Sequence, residues 1–186
     1  RAPLARLIRD AGTPPPGVIR GLQVLGILKL LEPSDVLVAL GHVDYGVRIH
    51  GLRLAAPWLD SDQDLRSHLT GMSEDPDPRV RLELAMTLGE SGESWPVAPL
   101  IELAVRHGKD GWMSTAILSS ANSRNGGRLL LGLLDRIELS PGARSLLEPL
   151  AKTVGGRRDG EQMAAALRLA ASLDPDLQKA CLAGFV

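Results

Sequence analysis

The sequence predicts an all-α fold, an α-solenoid of about six helical hairpins, and three observations carry that expectation. A cap-like residue stands before an apolar helical run at Thr13, Asp44, Asp77, Asp110, Ser140 and Asp174. These starts are separated by 31, 33, 33, 30 and 34 residues, and a fixed period in the thirties marks stacked helical repeats. No stretch alternates apolar and polar residues over a strand's length with β-branched or aromatic enrichment.

The stretch DPDPRVRLELAMTLGE, residues 75–90, shows how one start is built. A carboxylate at Asp77 can accept a bond from an unpaired backbone N–H and complements the positive helix end. Pro78 at the first helical position loses nothing, because its missing N–H would have had no intrahelical partner. Val80, Leu84 and Leu88 then recur at helical spacing, Ala85 and Met86 widen the apolar side, and Gly89 supplies a stop. Pro14, Pro141 and Pro175 repeat the proline after the cap.

Aligning the starts gives two columns. The third helical position holds Pro16, Val47, Val80, Met113, Ala143 and Leu177; four residues on stand Arg20, Gly51, Leu84, Ile117, Leu147 and Cys181. Both columns are expected to face inward, and the first repeat fits better with its register slipped by two, which places Val18, Leu22 and Leu25 inward. The segments ahead of the caps are helix-prone too: Leu4–Ala11, Ser34–Gly41, Asp62–Met72, Val97–His107, Arg124–Ile137 and Gly160–Leu173. Each period therefore holds two helices, which bury their apolar faces by stacking on the next pair. The expected pairs are about 3–31, 33–59, 62–90, 95–121, 124–156 and 158–186, forming one domain over 1–186. The opening on Arg1 and the end at Phe185-Val186 suggest a segment of a larger multidomain protein.

Composition narrows the function. The 186 residues are 44% hydrophobic but only 3% aromatic, which suits Leu, Ala and Val packing between helices. The formal net charge is −1 and no basic stripe emerges, so nucleic acid is not an expected partner. The apolar runs are too short for a membrane span, so no direct membrane insertion is expected.

Each residue group that might carry chemistry has a plainer reading. Asp60, Asp62 and Asp64 have calcium-loop spacing, but Leu65 and Gly71 stand where that loop needs glycine and glutamate. A helix cap at Asp62 explains them, and Glu74-Asp75 reads as a solvated turn. His42, His50, His68 and His107 never fall at metal-ligand spacing. Ser119-Ser120 lacks a nucleophile signature and suits close helix approach. The glycines of Asn125-Gly126-Gly127-Arg128 and Gly155-Gly156-Arg157-Arg158 precede no GK[ST] and read as links. Cys181, the one cysteine, reads as a small buried hydrophobe. Trp58, Trp95 and Trp112 stand near helix ends, where each can bury its ring and keep its N–H near water; an exposed pair could mark a contact surface. Arg48, Arg81 and Arg144, at the fourth helical position, could form a ladder with Asp44, Asp77 and Asp110, each reaching a neighbouring repeat's aspartate, since guanidinium suits bidentate pairing; the plainer reading is a row of solvated charges. No catalytic, cofactor-binding or metal-binding residue is assigned.

With its Asp turn followed by Val-Arg, DPDPRVRLELAMTLGE resembles the HEAT-repeat family, and the 33-residue steps from Asp44 to Asp77 to Asp110 agree. DGWMSTAILSS (110–120) and LLEPLAKTVGGRRDGEQMAAAL (146–167) look like the HEAT region of large haem-binding, membrane-bound-dehydrogenase-like proteins of Planctomycetes and their relatives. The resemblance is best over about residues 33–170. It implies an N-terminal β-propeller similar to sugar dehydrogenases, then this helical array, then a c-type cytochrome domain, in an exported or periplasmic protein. A c-type haem needs CxxCH, and Cys181 stands alone, so haem is expected only in a flanking domain. The expected role is a non-catalytic scaffold or protein-interaction domain whose partners are flanking domains of the same chain or another protein. The alternative is a HEAT-like enzyme, a DNA glycosylase or a bilin lyase; the former wants a basic concave face that a net charge of −1 does not favour.

Overall fold

In a computed structural model, residues 1–136, 140–156 and 160–184 are described, apart from the Gln162 side chain. The described chain is all-helical and contains no strand. Twelve α-helices are described: α1 (Ala2–Arg9), α2 (Pro15–Ile27), α3 (Pro33–Leu40), α4 (Tyr45–Leu54), α5 (Gln63–Gly71), α6 (Pro78–Leu88), α7 (Val97–His107), α8 (Gly111–Ser120), α9 (Gly126–Arg136), α10 (Pro141–Gly155), α11 (Gly160–Ala170) and α12 (Pro175–Ala183). Single 3-10 turns follow α4 at Ala56–Trp58 and α5 at Met72–Glu74. The end of the predicted Arg124–Ile137 helix, the Arg157-Arg158 pair and Phe185-Val186 lie outside the described residues.

Local chemistry accounts for the starts. Asp44 accepts from the Val47 N–H at 3.1 Å, Asp110 from Met113 at 2.9 Å, and Asp174 from Leu177 at 3.1 Å. Ser140 Oγ accepts from Gly142 and Ala143 at 3.1 and 3.3 Å. Asp77 Oδ1 takes the Arg79 N–H at 2.9 Å, satisfying one of the donors a helix leaves orphaned. Thr13 is a correction: Pro14 occupies the N-cap of α2 and no side chain bonds to that end. The three consecutive prolines explain the one-residue displacement. Proline disfavours the α region for its predecessor, and Pro14, ahead of Pro15, is extended with ψ 148°, so the helix begins at Pro15, where a missing N–H costs nothing.

The chain divides into two compact units, Arg1–Thr87 and Leu88–Val186. In the first, α1 packs on α2 and α3, α3 on α4 and α5, and α2 on α4. In the second, α7 packs on α8 and α9, α9 on α10 and α11, α11 on α12, and α10 on both α8 and α12. The predicted columns supply much of each core. Val47, Val80, Met113, Ala143 and Leu177 are buried, as are Gly51, Leu84, Ile117, Leu147 and Cys181. Pro16 and Arg20 are exposed, whereas Val18, Leu22 and Leu25 are buried, and these three join Ile8, Ala39 and Val47 in one cluster.

Close approach in the second unit depends on missing side chains. A Cβ added at Gly142 would collide with the Ala104 carbonyl oxygen, and one at Gly108 would lie 2.7 Å from the Gly142 carbonyl oxygen. Ser145 Oγ donates to the Gly108 carbonyl at 2.7 Å, and Ser140 Oγ donates to that of Val105. The C-terminal end of α7 thus meets the start of α10 backbone to backbone, and serines satisfy carbonyls left over at the helix end.

Candidate interaction surface

Two surface features of the first unit stand apart from its packed interior. One is a groove of about 500 Å³ between the C-terminal ends of α2 and α4, lined chiefly by Leu31, Leu54, Pro57 and Trp58, with Lys29 and Arg53 at its rim. Along the turn from α2 to α3, Ile27, Leu28 and Leu30 are 81, 55 and 41% exposed, which makes an apolar lip. The sequence places them there by ending α2 at Ile27, two residues past its last buried residue, Leu25.

The backbone of that lip is tightly held. Lys29 has φ 57°, and it is the only described non-glycine residue with positive φ. Its N–H donates to the Gly26 carbonyl at 3.0 Å and the Leu30 N–H donates to that of Leu25 at 2.9 Å. This is a Schellman closure with lysine where glycine is favoured. Arg53 Nη2 contacts Glu83 Oε2 at 2.8 Å, and that hydrogen bond raises the arginine's already high pKa. His50, on the same helix, has its pKa lowered by burial first and by the Arg53 charge second.

The second feature is the turn before α6. Arg48 makes a bidentate pair with Asp75, Nε to Oδ2 at 2.8 Å and Nη2 to Oδ1 at 2.9 Å, while Nη1 donates to the carbonyls of His42 and Val43. Asp75 Oδ1 also accepts the Asp77 N–H at 2.9 Å. Arg81 Nη1 donates to the Asp75 carbonyl. Outside this knot, Arg79 lies over the Tyr45 ring at 3.4 Å and grips Asp77 through Nε and Nη2 at 3.0 and 2.7 Å. The Arg79 hydrogen bond is the main reason the Asp77 carboxyl is lowered from 3.8 to about 2.

The predicted ladder is therefore changed at this turn. Arg48 reaches the neighbouring turn, but its acceptor is Asp75, because Asp77 is turned to its own helix end and to Arg79. Asp75 is buried rather than solvated, and only Glu74 of that acidic pair is exposed. Arg144 is exposed on α10. Asp62 Oδ1 accepts the Leu65 N–H at 2.8 Å as a cap, and His42 Nδ1 accepts the Asp44 N–H at 2.9 Å. Burial pushes the Cys181 thiol up, which suppresses thiolate character. Trp58 and Trp95 are half-buried, while Trp112 is 77% exposed. Among the described residues no group of three or more His, Cys, Asp or Glu side chains is placed to hold a metal ion, and no helix is long and apolar enough to cross a membrane.

Three polar nodes were missed from sequence. Asp35 is fully buried, takes Arg1 Nη2 at 2.9 Å and pairs with Arg9 at 2.7 Å. Its signal was present, since Glu32 and Asp35 form a capping box around Pro33. Asn125, also fully buried, accepts the Asn122 N–H at 2.7 Å and donates to the Ser120 carbonyl at 2.9 Å, ordering the turn into α9. The left-handed Lys29 had no signal, because lysine is an ordinary residue near a helix end. No protein-family model, curated protein or solved structure matches this chain.

Proposed function

We propose that this chain is a non-catalytic helical-repeat scaffold, an α-solenoid of six HEAT-like hairpins that presents its surface to flanking domains or to another protein. The observation that carries this reading is the packing order inside each unit. The first helix of one pair meets the first helix of the next, α1 to α3 to α5 and α7 to α9 to α11. Second helices also meet, α2 to α4 and α8 to α10 to α12. That alternation is how a helical repeat buries faces its own hairpin cannot cover. Surface-forming roles follow from such stacking, because each added pair lengthens the exposed face.

On the resemblance, the parent is an exported redox protein in which this scaffold spaces a β-propeller dehydrogenase-like domain from a c-type cytochrome domain, with any haem c bound by the latter. The test is to excise residues 1–186 from the full-length protein. A scaffold role predicts that the propeller keeps its turnover with an artificial acceptor and the cytochrome keeps its haem band, while electron transfer between them is lost. Loss of the propeller's own turnover, or of the haem band, would contradict it.

A further inference from the structure

The groove between the ends of α2 and α4 has the makings of a specific docking site, and the argument rests on the scaffold reading above. Its floor is apolar and aromatic: Leu31 and Leu54 lean on the core cluster of the first unit, and Pro57 and Trp58 close the far wall. Isolated exposed apolar residues are ordinary, but here Ile27, Leu28 and Leu30 stand together beside a concavity. The rim is cationic. Lys29 takes part in none of the described ion pairs, and Arg53 spends one guanidinium edge on Glu83 while remaining 57% exposed. Lys29 is exposed, and the Gly26 and Leu25 carbonyls at the end of α2 already accept the two backbone bonds from Lys29 and Leu30. A lysine held at φ 57° is also a local strain, and strain kept at a fixed place points toward function.

We propose that this groove docks an amphipathic segment of a partner protein, with bulky apolar side chains against Leu31, Leu54 and Trp58 and a carboxylate against Lys29. Apolar contact supplies attraction, and the cationic rim selects acidic over basic flanks and sets the register.

The probes are three fluorescein-labelled fourteen-residue helical peptides with leucines at i, i+3, i+4 and i+7. Their polar positions carry glutamate, glutamine or lysine. Anisotropy titrations against the whole chain are expected to rank glutamate above glutamine above lysine, at least tenfold from first to last in low salt, with the gap narrowing as salt rises. Lys29→Glu is expected to reverse the ranking, Lys29→Arg to keep it, and Ile27→Ser to weaken all three peptides. Ile27 and Lys29 are exposed, and circular dichroism checks that each variant is folded. Equal binding of the three peptides, no binding of any, or a ranking untouched by Lys29→Glu overturns the proposal. Such a failure leaves the excision experiment to decide the scaffold role separately.

Discussion

Arg48 and Asp75, 27 residues apart, form a two-bond guanidinium–carboxylate pair with side chains only 11 and 7% exposed. It ties the start of α4 to the turn that launches α6. Removing one member of such a pair strands the other charge out of water, which typically costs about 3–5 kcal/mol. Arg48→Ala and Asp75→Ala are each expected to fall in that range by urea melts. The double variant should cost less than their sum, with a coupling of about 1–3 kcal/mol. Strict additivity would mean that the pair is not energetically joined.

Asp77 should carry a pH signature. Its carboxyl titrates at about 2 in the folded chain against 3.8 ordinarily, so the folded state binds this proton less readily than the unfolded chain does. The stabilisation is therefore complete above about pH 4 and is lost as pH falls toward 2. A carbon-detected titration of Asp77 should show the low midpoint, and Arg79→Gln should return it toward the ordinary value. A midpoint near 4 in the unaltered chain would show that Arg79 does not hold the carboxylate in solution.

Glycines should separate into two groups by what surrounds them. Gly142→Ala drives a methyl group into backbone of α7, and overpacking of this kind costs about 1–3 kcal/mol. Gly71→Ala meets nothing within 4 Å, at the end of α5, and should be neutral or stabilising by up to about 1 kcal/mol. Thermal melts that rank the two variants the other way would contradict the close approach of α7 and α10.

Lys29→Gly should stabilise the isolated chain by up to about 1 kcal/mol, because glycine adopts the left-handed region without the Cβ penalty. The same change should weaken the glutamate peptide. A stability gain together with a binding loss is the signature of strain retained for a contact. Urea melts that show a loss of stability would mean the Lys29 side chain contributes more to the fold than its backbone costs.

How much was legible depended on the range of the interaction. Helix starts rest on a carboxylate or hydroxyl reaching an N–H two or three residues away, so Asp44, Asp77, Asp110, Ser140 and Asp174 could be read from their neighbours alone. Thr13 failed because three prolines moved the start past it. Inward columns follow from a period, and Val80 and Leu84 needed no tertiary knowledge. The choice of Asp75 over Asp77 as the Arg48 partner was not local, since Asp77 was claimed by its own helix and by Arg79. The groove was hidden for the same reason: Leu31 and Trp58 are 27 positions apart, and only the packing of α2 on α4 brings their segments together.

The central proposal, a helical-repeat array whose third helical positions form an inward column, is tested most directly by an aspartate scan of that column. The measurement is the urea-melt stability of Val18→Asp, Val47→Asp, Val80→Asp, Met113→Asp, Ala143→Asp and Leu177→Asp, with Pro16→Asp and Met86→Asp as exposed controls. Each column variant places an unpaired charge in a packed interior and is expected to lose about 3 kcal/mol or more, or to fail to fold. The controls should stay within about 1 kcal/mol of the unaltered chain. Two or more column positions that tolerate aspartate as well as Met86 does, or a loss at Pro16 equal to that at Val18, would contradict the repeat register and the scaffold built on it.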